Sequence, residues 1–112
     1  RAPRNIFVPG FIGSPRMNFL TGDEASKRNA HTVGIRPEHI APSATEGDWK
    51  GTVGVAEHLG SDTFFHVHLE GREEPMTVRA GGEVSLHPGN TIYLTPDESQ
   101  MHRFDAQGLR IE

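Results

Sequence analysis

The chain has 112 residues, of which 34% are hydrophobic, and it contains 13 Gly, 8 Pro and no Cys. This is the length of one ordinary domain, and Gly and Pro recur too often for long helices. The formal net charge of -4 argues against a nucleic-acid partner, and the lack of Cys excludes disulfide bonds and Cys-based zinc sites.

The first twenty residues combine apolar side chains with three prolines. We expect a short helix over about residues 4–12, disfavoured by Pro9, in a segment that packs on a sheet. Residues 21–30 are polar and aperiodic, which predicts a loop or linker. No apolar run reaches the roughly 20 residues that span a bilayer, and no signal peptide is visible. The chain begins at Arg1 rather than Met, which suggests a fragment or a processed form.

A short strand is predicted over residues 31–35, HTVGI. Pro37 disfavours helical geometry at Arg36, so this strand should end there. Residues 41–48, APSATEGD, are polar and predict another loop.

The clearest pattern is a hairpin formed by residues 49–59 and 63–69 around the turn residues Gly60, Ser61 and Asp62. In its first strand, Val53 and Val55 should share one face because successive side chains alternate. In its second strand the side chains of Phe65, Val67 and Leu69 should lie on one face. Those of Phe64, His66 and His68 should lie on the opposite face.

Further strands are predicted over residues 75–80, 83–86, 90–94 and 101–104, and residues 109–111 end the pattern. Met76 and Val78 should face inward. Six to eight short strands with turns at short intervals predict an all-β fold, either a small barrel or a sandwich.

Seven histidines are many for this length, and three of them could lie close together. His66 and His68 share a strand face, and His58 on the partner strand would complete a three-nitrogen metal site. A half-polar outer strand face explains the same pattern without a metal. Because ligand sets seldom close without carboxylate or Cys support, we favour that explanation and predict no metal.

Arg36, Glu38 and His39 form a second cluster, directly after a predicted strand end. A guanidinium fork and an imidazole can both bind an oxyanion, which makes these residues candidate ligand contacts. An Arg36–Glu38 ion pair that pins a loop is the alternative, and we favour it because structural ion pairs are commoner than sites.

Other catalytic or binding signatures are absent from the sequence. No GxSxG, GxGxxG or GxxxxGK[ST] motif occurs, so no catalytic residues are predicted. An OB-like barrel could stack single-stranded bases on an exposed Phe64, but the acidic net charge argues against nucleic acid.

Four stretches in series resemble one known family. Residues 4–20, RNIFVPGFIGSPRMNFL, resemble the segment that leaves the nucleotide-binding domain in sugar-type ABC importer ATPases. The stretches VGIRPEHI, GTVGVAEHLGSDTFFHVHLEG and GNTIYLTPDESQMHRFDAQGLRI resemble the domain that follows it. The family is that of maltose and glycerol-3-phosphate importers, whose C-terminal part is the transport-associated OB (TOBE) domain.

This resemblance implies an OB-like barrel with a short N-terminal helix. It implies that residues 1–20 leave an ATPase domain and pack on a barrel formed by residues 21–112. ATP and magnesium would belong to that absent domain, and no cofactor is expected in this chain. A second copy of the subunit and membrane permeases would be the partners, at the cytoplasmic side of the inner membrane.

The sequence departs from the family in two ways. The motifs that bind and hydrolyse ATP are missing, so this chain should not hydrolyse ATP alone. The stretch between Leu20 and Val33 is short, so either the barrel is trimmed or residues near 21–30 bridge a missing segment. A trimmed barrel would leave a sheet edge that needs cover.

Four functional hypotheses follow. A regulatory and dimerisation domain leads, and a sensor of a small oxyanion or sugar, anchored by Arg36 and His39, comes second. Binding of single-stranded nucleic acid and independent enzyme activity are the others.

Overall fold

The computed structural model describes residues 16–59, 61–79 and 87–111, which form a two-sheet, all-β domain. The predicted all-β class is therefore confirmed, with nine strands among these residues where six to eight were expected. The strands are β1 (Asn18–Leu20), β2 (Thr32–Ile35), β3 (Ile40–Ser43), β4 (Trp49–Leu59), β5 (Asp62–Leu69), β6 (Met76–Arg79), β7 (Thr91–Pro96), β8 (His102–Phe104) and β9 (Arg110–Ile111).

The two antiparallel sheets enclose the core. The smaller sheet has the order β1-β2-β8-β9, and the larger has the order β3-β7-β4-β5-β6. The outer strands of the larger sheet, β3 and β6, contact each other, so that sheet curls towards closure as an OB-like barrel does. Its fully buried side chains alternate along their strands and include Val53, Val67, Met76, Val78 and Leu94. The inward positions predicted for β5 and β6 are thus confirmed at Val67, Met76 and Val78.

Two segments that were predicted as loops contain regular structure. Within residues 21–30 a four-residue helix, α1 (Asp23–Ser26), begins after Gly22, whose φ of 65° suits glycine. It forms because Ala25 is small and apolar enough to be completely buried in the core. Within residues 41–48 the first three residues continue β3, where Pro42 lies opposite Leu94. Pro42 is tolerated because β3 is an outer strand, where a missing N–H does not interrupt the sheet.

The face predicted for Val55 is wrong because β4 contains a bulge. Val53 pairs with Val67, but Ala56 pairs with Phe65, so β4 has one residue more than β5 between these pairs. Beyond the bulge the alternation reverses, and Val55 is 68% exposed. Phe64 lies on the face opposite Phe65 as predicted, but it is only 5% exposed and offers no stacking surface for a base.

Other strand predictions are confirmed, including the β4–β5 hairpin and the end of β2 before Arg36. The helix expected over residues 4–12 and the strand expected over 83–86 lie outside the described residues. Among the described residues, no helix has the length and apolar character needed to cross a membrane.

Side chains from β1 and its surroundings connect the two sheets. The Asn18 amide donates to the Thr77 carbonyl and accepts from the Thr77 N–H, both at 2.8 Å. Asn18 is buried, and it bonds to the N–H and C=O groups of Thr77, which point away from β5. This single side chain therefore caps the outer edge of β6 in the way that a further strand would.

Candidate functional site

The predicted cluster of Arg36, Glu38 and His39 surrounds a 3-10 turn, Pro37–His39, that follows β2. Arg36 and Glu38 are exposed, and His39 is half-buried. The turn is held by the His39 N–H, which donates to the Arg36 carbonyl at 3.0 Å, and by the Asp97 N–H, which donates to the His39 carbonyl at 2.9 Å. Within the described residues Arg36 forms no ion pair with Glu38, so the loop is pinned by backbone hydrogen bonds instead.

Two further basic residues join Arg36 and His39, and we call these four residues the basic corner: Arg36, His39, His102 and Arg110. β8 pairs with β2 through His102 and Gly34, and with β9 through Phe104 and Arg110. His102 and Arg110 therefore lie on the same face of the smaller sheet, beside the buried Phe104.

The electrostatics of the basic corner favour a negative partner. Burial lowers the pKa of His102, and the charges of Arg110, Arg36 and His39 lower it further. The Nδ1 atom of His39 is buried without a hydrogen-bond partner among the described residues. Hydrogen bonds from Ser99 lower the pKa of the nearby Asp97, with a smaller contribution from His39. Basic groups for which the described residues supply no ion pair are stabilised when an anion binds between them.

The three strand histidines do not lie on one face. His58 pairs with Thr63, and its Nδ1 lies 3.0 Å from the Thr63 hydroxyl. Thr63 lies on the same face of β5 as Phe65, whereas His66 and His68 lie on the opposite face. The bulge in β4 causes this separation, because the extra residue moves His58 to the other side.

His66 is occupied by its neighbours on the outer face. Its Nε2 lies 3.4 Å from a Glu57 carboxylate oxygen, and its Nδ1 lies 3.5 Å from the Thr77 hydroxyl. In the part of the chain that the structure describes, no group of three His, Cys, Asp or Glu residues is placed to hold a metal ion.

A cleft of about 730 Å³ lies elsewhere on the domain, and we call it the acidic cleft. It is formed where β1, α1, the start of β4 and the β5–β6 loop meet. Its lining combines apolar surface with an excess of carboxylates over basic groups. The side chains include the apolar Trp49 and Leu69, the acidic Glu24, Asp48, Glu73 and Glu74, and the basic Lys50 and Arg72.

Trp49 is held in this cleft by a network that begins at α1. Its indole N–H donates to a Glu24 carboxylate oxygen at 3.3 Å. Burial of Glu24 opposes ionisation, but hydrogen bonds from Arg28, Lys27 and Trp49 outweigh it, and the pKa of Glu24 is lowered. Arg28 also donates two hydrogen bonds to Glu98, at 2.9 and 2.7 Å.

Arg72 forms part of the opposite side of the cleft. One of its terminal nitrogens donates to the Phe19 carbonyl at 2.9 Å, and this contact ties the β5–β6 loop to β1. Burial lowers its pKa, while the charge of Glu74 partly offsets that effect. Its Nε atom is buried and has no hydrogen-bond partner within the described ranges.

The sequence alone did not indicate the cleft, and it did not indicate that His102 and Arg110 belong to the basic corner. His102 and Arg110 approach Arg36 only through strand pairing, and four separate segments form the cleft. One local signal was available for the cleft, because Trp49 is the only tryptophan of the chain and begins a strand beside Asp48 and Lys50.

Comparison with known families gives a match over most of the described sheets. Residues 33–104 match the family model of the TOBE domain. The chain belongs to the TOBE domain family. The family resemblance of the four sequence stretches is thereby confirmed, and this TOBE domain contains the turn at Arg36 as well as β3 to β8.

Curated relatives of this TOBE domain are import ATP-binding proteins. The chain is 36% identical, over 97% of its length, to the sn-glycerol-3-phosphate import ATP-binding protein UgpC of Ruegeria pomeroyi. It is 31% identical, over 95% of its length, to the maltose/maltodextrin import ATP-binding protein MalK of Photobacterium profundum. In both comparisons the chain spans 36% of the relative's length.

Proposed function

We propose that this TOBE domain is the regulatory and dimerisation part of the ATP-binding subunit of a sugar-type ABC importer. It is non-catalytic by itself and supports ATP-driven solute uptake. The parent subunit binds ATP and magnesium in a separate domain and works as a pair with membrane permeases, at the cytoplasmic side of the membrane. The observation that carries the proposal is similarity along 97% of this chain to about a third of an import ATP-binding protein.

The parent subunit is tested by sequencing the surrounding coding region. We expect a GxxxxGK[ST] phosphate-binding loop roughly 200 residues before this stretch, because such a loop opens the nucleotide site. A start codon close to Arg1, with no such loop, would contradict the importer proposal and leave a free-standing sensor.

Self-association should use the outer edge of the smaller sheet. Asn18 occupies the Thr77 backbone groups of β6, and β3 contacts β6, so among the described residues both edges of the larger sheet are partly covered. β9 is an outer strand of the smaller sheet, and Leu109 beside it is 49% exposed. An exposed apolar side chain at a strand edge favours contact with another chain.

Sedimentation velocity over a concentration series tests this edge. We expect a weak monomer–dimer equilibrium that Leu109→Asp abolishes. Val55→Asp is the matched control, because Val55 is also an exposed apolar residue but lies at the bulge. A strictly monomeric chain at high micromolar concentration, or loss of association only in Val55→Asp, would contradict the proposal.

The basic corner favours a second function, the sensing of a small oxyanion. Calorimetric titration with sulfate and with glucose 6-phosphate should give saturable heat. The double variant Arg36→Ala/Arg110→Ala should weaken binding by about tenfold or more, since charged hydrogen bonds are lost. Absence of heat with both anions would exclude this function.

A further inference from the structure

We propose that the acidic cleft of this TOBE domain binds a neutral carbohydrate of one or two sugar rings. The proposal goes beyond the proposed function, because it concerns a site formed by residues other than Leu109 and the basic corner. It rests on the size of the cleft, on the Trp49 side chain and on the mixture of hydrogen-bonding groups around it.

The size and apolar surface of the cleft suit a small organic ligand. Its volume of about 730 Å³ lies within the range of roughly 300–1,000 Å³ that small-molecule sites occupy. Trp49 and Leu69 contribute apolar surface, and the hydrogen bond to Glu24 restrains the indole. Sugar rings present apolar C–H faces that pack on such a side chain, and a restrained ring loses little entropy on binding.

The polar groups of the cleft match hydroxyl groups better than they match an ion. Each sugar hydroxyl can both donate and accept, so it needs acceptors and donors together. Asp48, Glu73 and Glu74 supply carboxylate acceptors, and Lys50 and Arg72 supply donors. Arg72 has a buried Nε without a partner within the described ranges, and Lys50 forms no ion pair there.

Charge separates the neutral sugar from the two charged ligand classes. An anion would meet five carboxylates against two basic side chains in the lining. The same excess of carboxylates would attract a polyamine, so spermidine is the competing ligand in the test, although Lys50 and Arg72 would oppose it and Glu24 is already engaged by Lys27 and Arg28. A neutral polyhydroxyl compound can use both kinds of group, because its hydroxyls donate to the carboxylates and accept from Lys50 and Arg72.

The test uses the intrinsic fluorescence of this chain, since Trp49 is its only tryptophan. Maltose and glucose should each change the emission saturably in the millimolar range, with calorimetry giving the same dissociation constant. Glucose 6-phosphate should bind the cleft about tenfold more weakly than glucose, because its phosphate meets the carboxylates. No saturable change with either neutral sugar, or tighter binding of spermidine than of both, would overturn the proposal.

Variants assign the binding to the cleft. Lys50→Met and Glu73→Ala alter exposed side chains, so the fold is retained, and each should weaken maltose binding by about tenfold through a lost hydrogen bond. Asp62→Asn, an exposed change at the far end of β5, is the control and should leave the affinity unchanged. Equal affinity in all three variants would overturn the assignment, whatever the state of association of the chain.

Discussion

The basic corner and the acidic cleft carry opposite charge on one small domain, and they are built differently. The corner gathers basic groups whose mutual repulsion is visible at His102, where burial and three neighbouring charges lower the pKa. In the cleft, the charge of the half-buried Glu24 carboxylate is balanced, because hydrogen bonds from Arg28 and Lys27 favour its ionised form. The ligand proposed for the corner would therefore meet charge that no described residue pairs, whereas the ligand proposed for the cleft would meet a restrained shape and individual hydrogen bonds.

One side chain links the two regions without belonging to either. Arg28 connects Glu24, which lines the cleft, to Glu98, which follows the residue that holds the His39 carbonyl. The guanidinium is largely buried, with 13% of the side chain exposed, and hydrogen bonds to Glu98 and Glu24 raise its pKa despite burial. Substitution of Arg28 is therefore the first test of whether the two regions are linked.

The largest expected effect is that of Arg28→Ala. We expect a loss of about 1–2 kcal/mol in the free energy of unfolding, because several charged hydrogen bonds disappear at a largely buried position. The Trp49 emission should also shift, since Glu24 loses its main restraint. Urea denaturation followed by fluorescence measures both quantities.

Lys27→Ala is the control for that experiment. Lys27 also contacts Glu24, at 3.2 Å, but its side chain is 58% exposed. An exposed pair of this kind contributes about 0.5 kcal/mol or less. Equal destabilisation by the two variants would mean that the Arg28 network does not link the regions.

The next effect in size is the response to salt. Raising sodium chloride from about 0.05 to 0.5 M should weaken sulfate binding at the basic corner several-fold, because free charges are screened. Maltose binding at the acidic cleft should change little, since the sugar is neutral. Parallel calorimetric titrations measure this difference. Equal salt dependence at both sites would contradict the expectation that only the basic corner binds its ligand through charge.

The smallest effect is a pH dependence at the basic corner. The pKa of His102 lies below its ordinary value of 6.5, so the unfolded chain takes up a proton more readily than the folded one. This contribution to stability is complete above pH 6.5 and is lost as the pH falls through the lowered pKa. Glu24 and Glu98 act separately, because their pKa values lie below 4.5 and their contributions are lost only in more acidic solution.

His102→Gln should flatten this part of the profile of unfolding free energy against pH, and saturating sulfate should flatten it too. The exposed His68→Gln serves as control and should retain the wild-type slope. An unchanged slope in His102→Gln would show that the basic corner exerts no such repulsion.

Local patterns were sufficient to predict most strands, since alternation and turn residues lie within a few positions of one another. β3 was missed because Pro42 resembles a strand breaker until the strand is known to be an outer one. α1 was missed because one buried side chain, Ala25, stabilises it, and its other three residues are polar and show no detectable period. Val55 was misplaced because a bulge depends on the partner strand.

The candidate sites were also predictable only where their residues are close together in the sequence. Arg36 and His39 could be paired from the sequence because a single turn holds them, whereas His102 and Arg110 join them only through sheet register. The metal grouping of His58 with His66 and His68 assumed an unbroken alternation along β4. The cleft needs four distant segments, so no local pattern could predict it.

The cap that Asn18 places on β6 has a consequence for the order of folding. Asn18 and Thr77 are 59 residues apart, so their two hydrogen bonds close a long loop of the chain. Contacts of such high sequence separation are among the last to form, after the β4–β5–β6 hairpins have paired. The Thr77 amide should therefore be a late reporter in pulse-labelled hydrogen exchange, and its early release would mark the first opening of the native state.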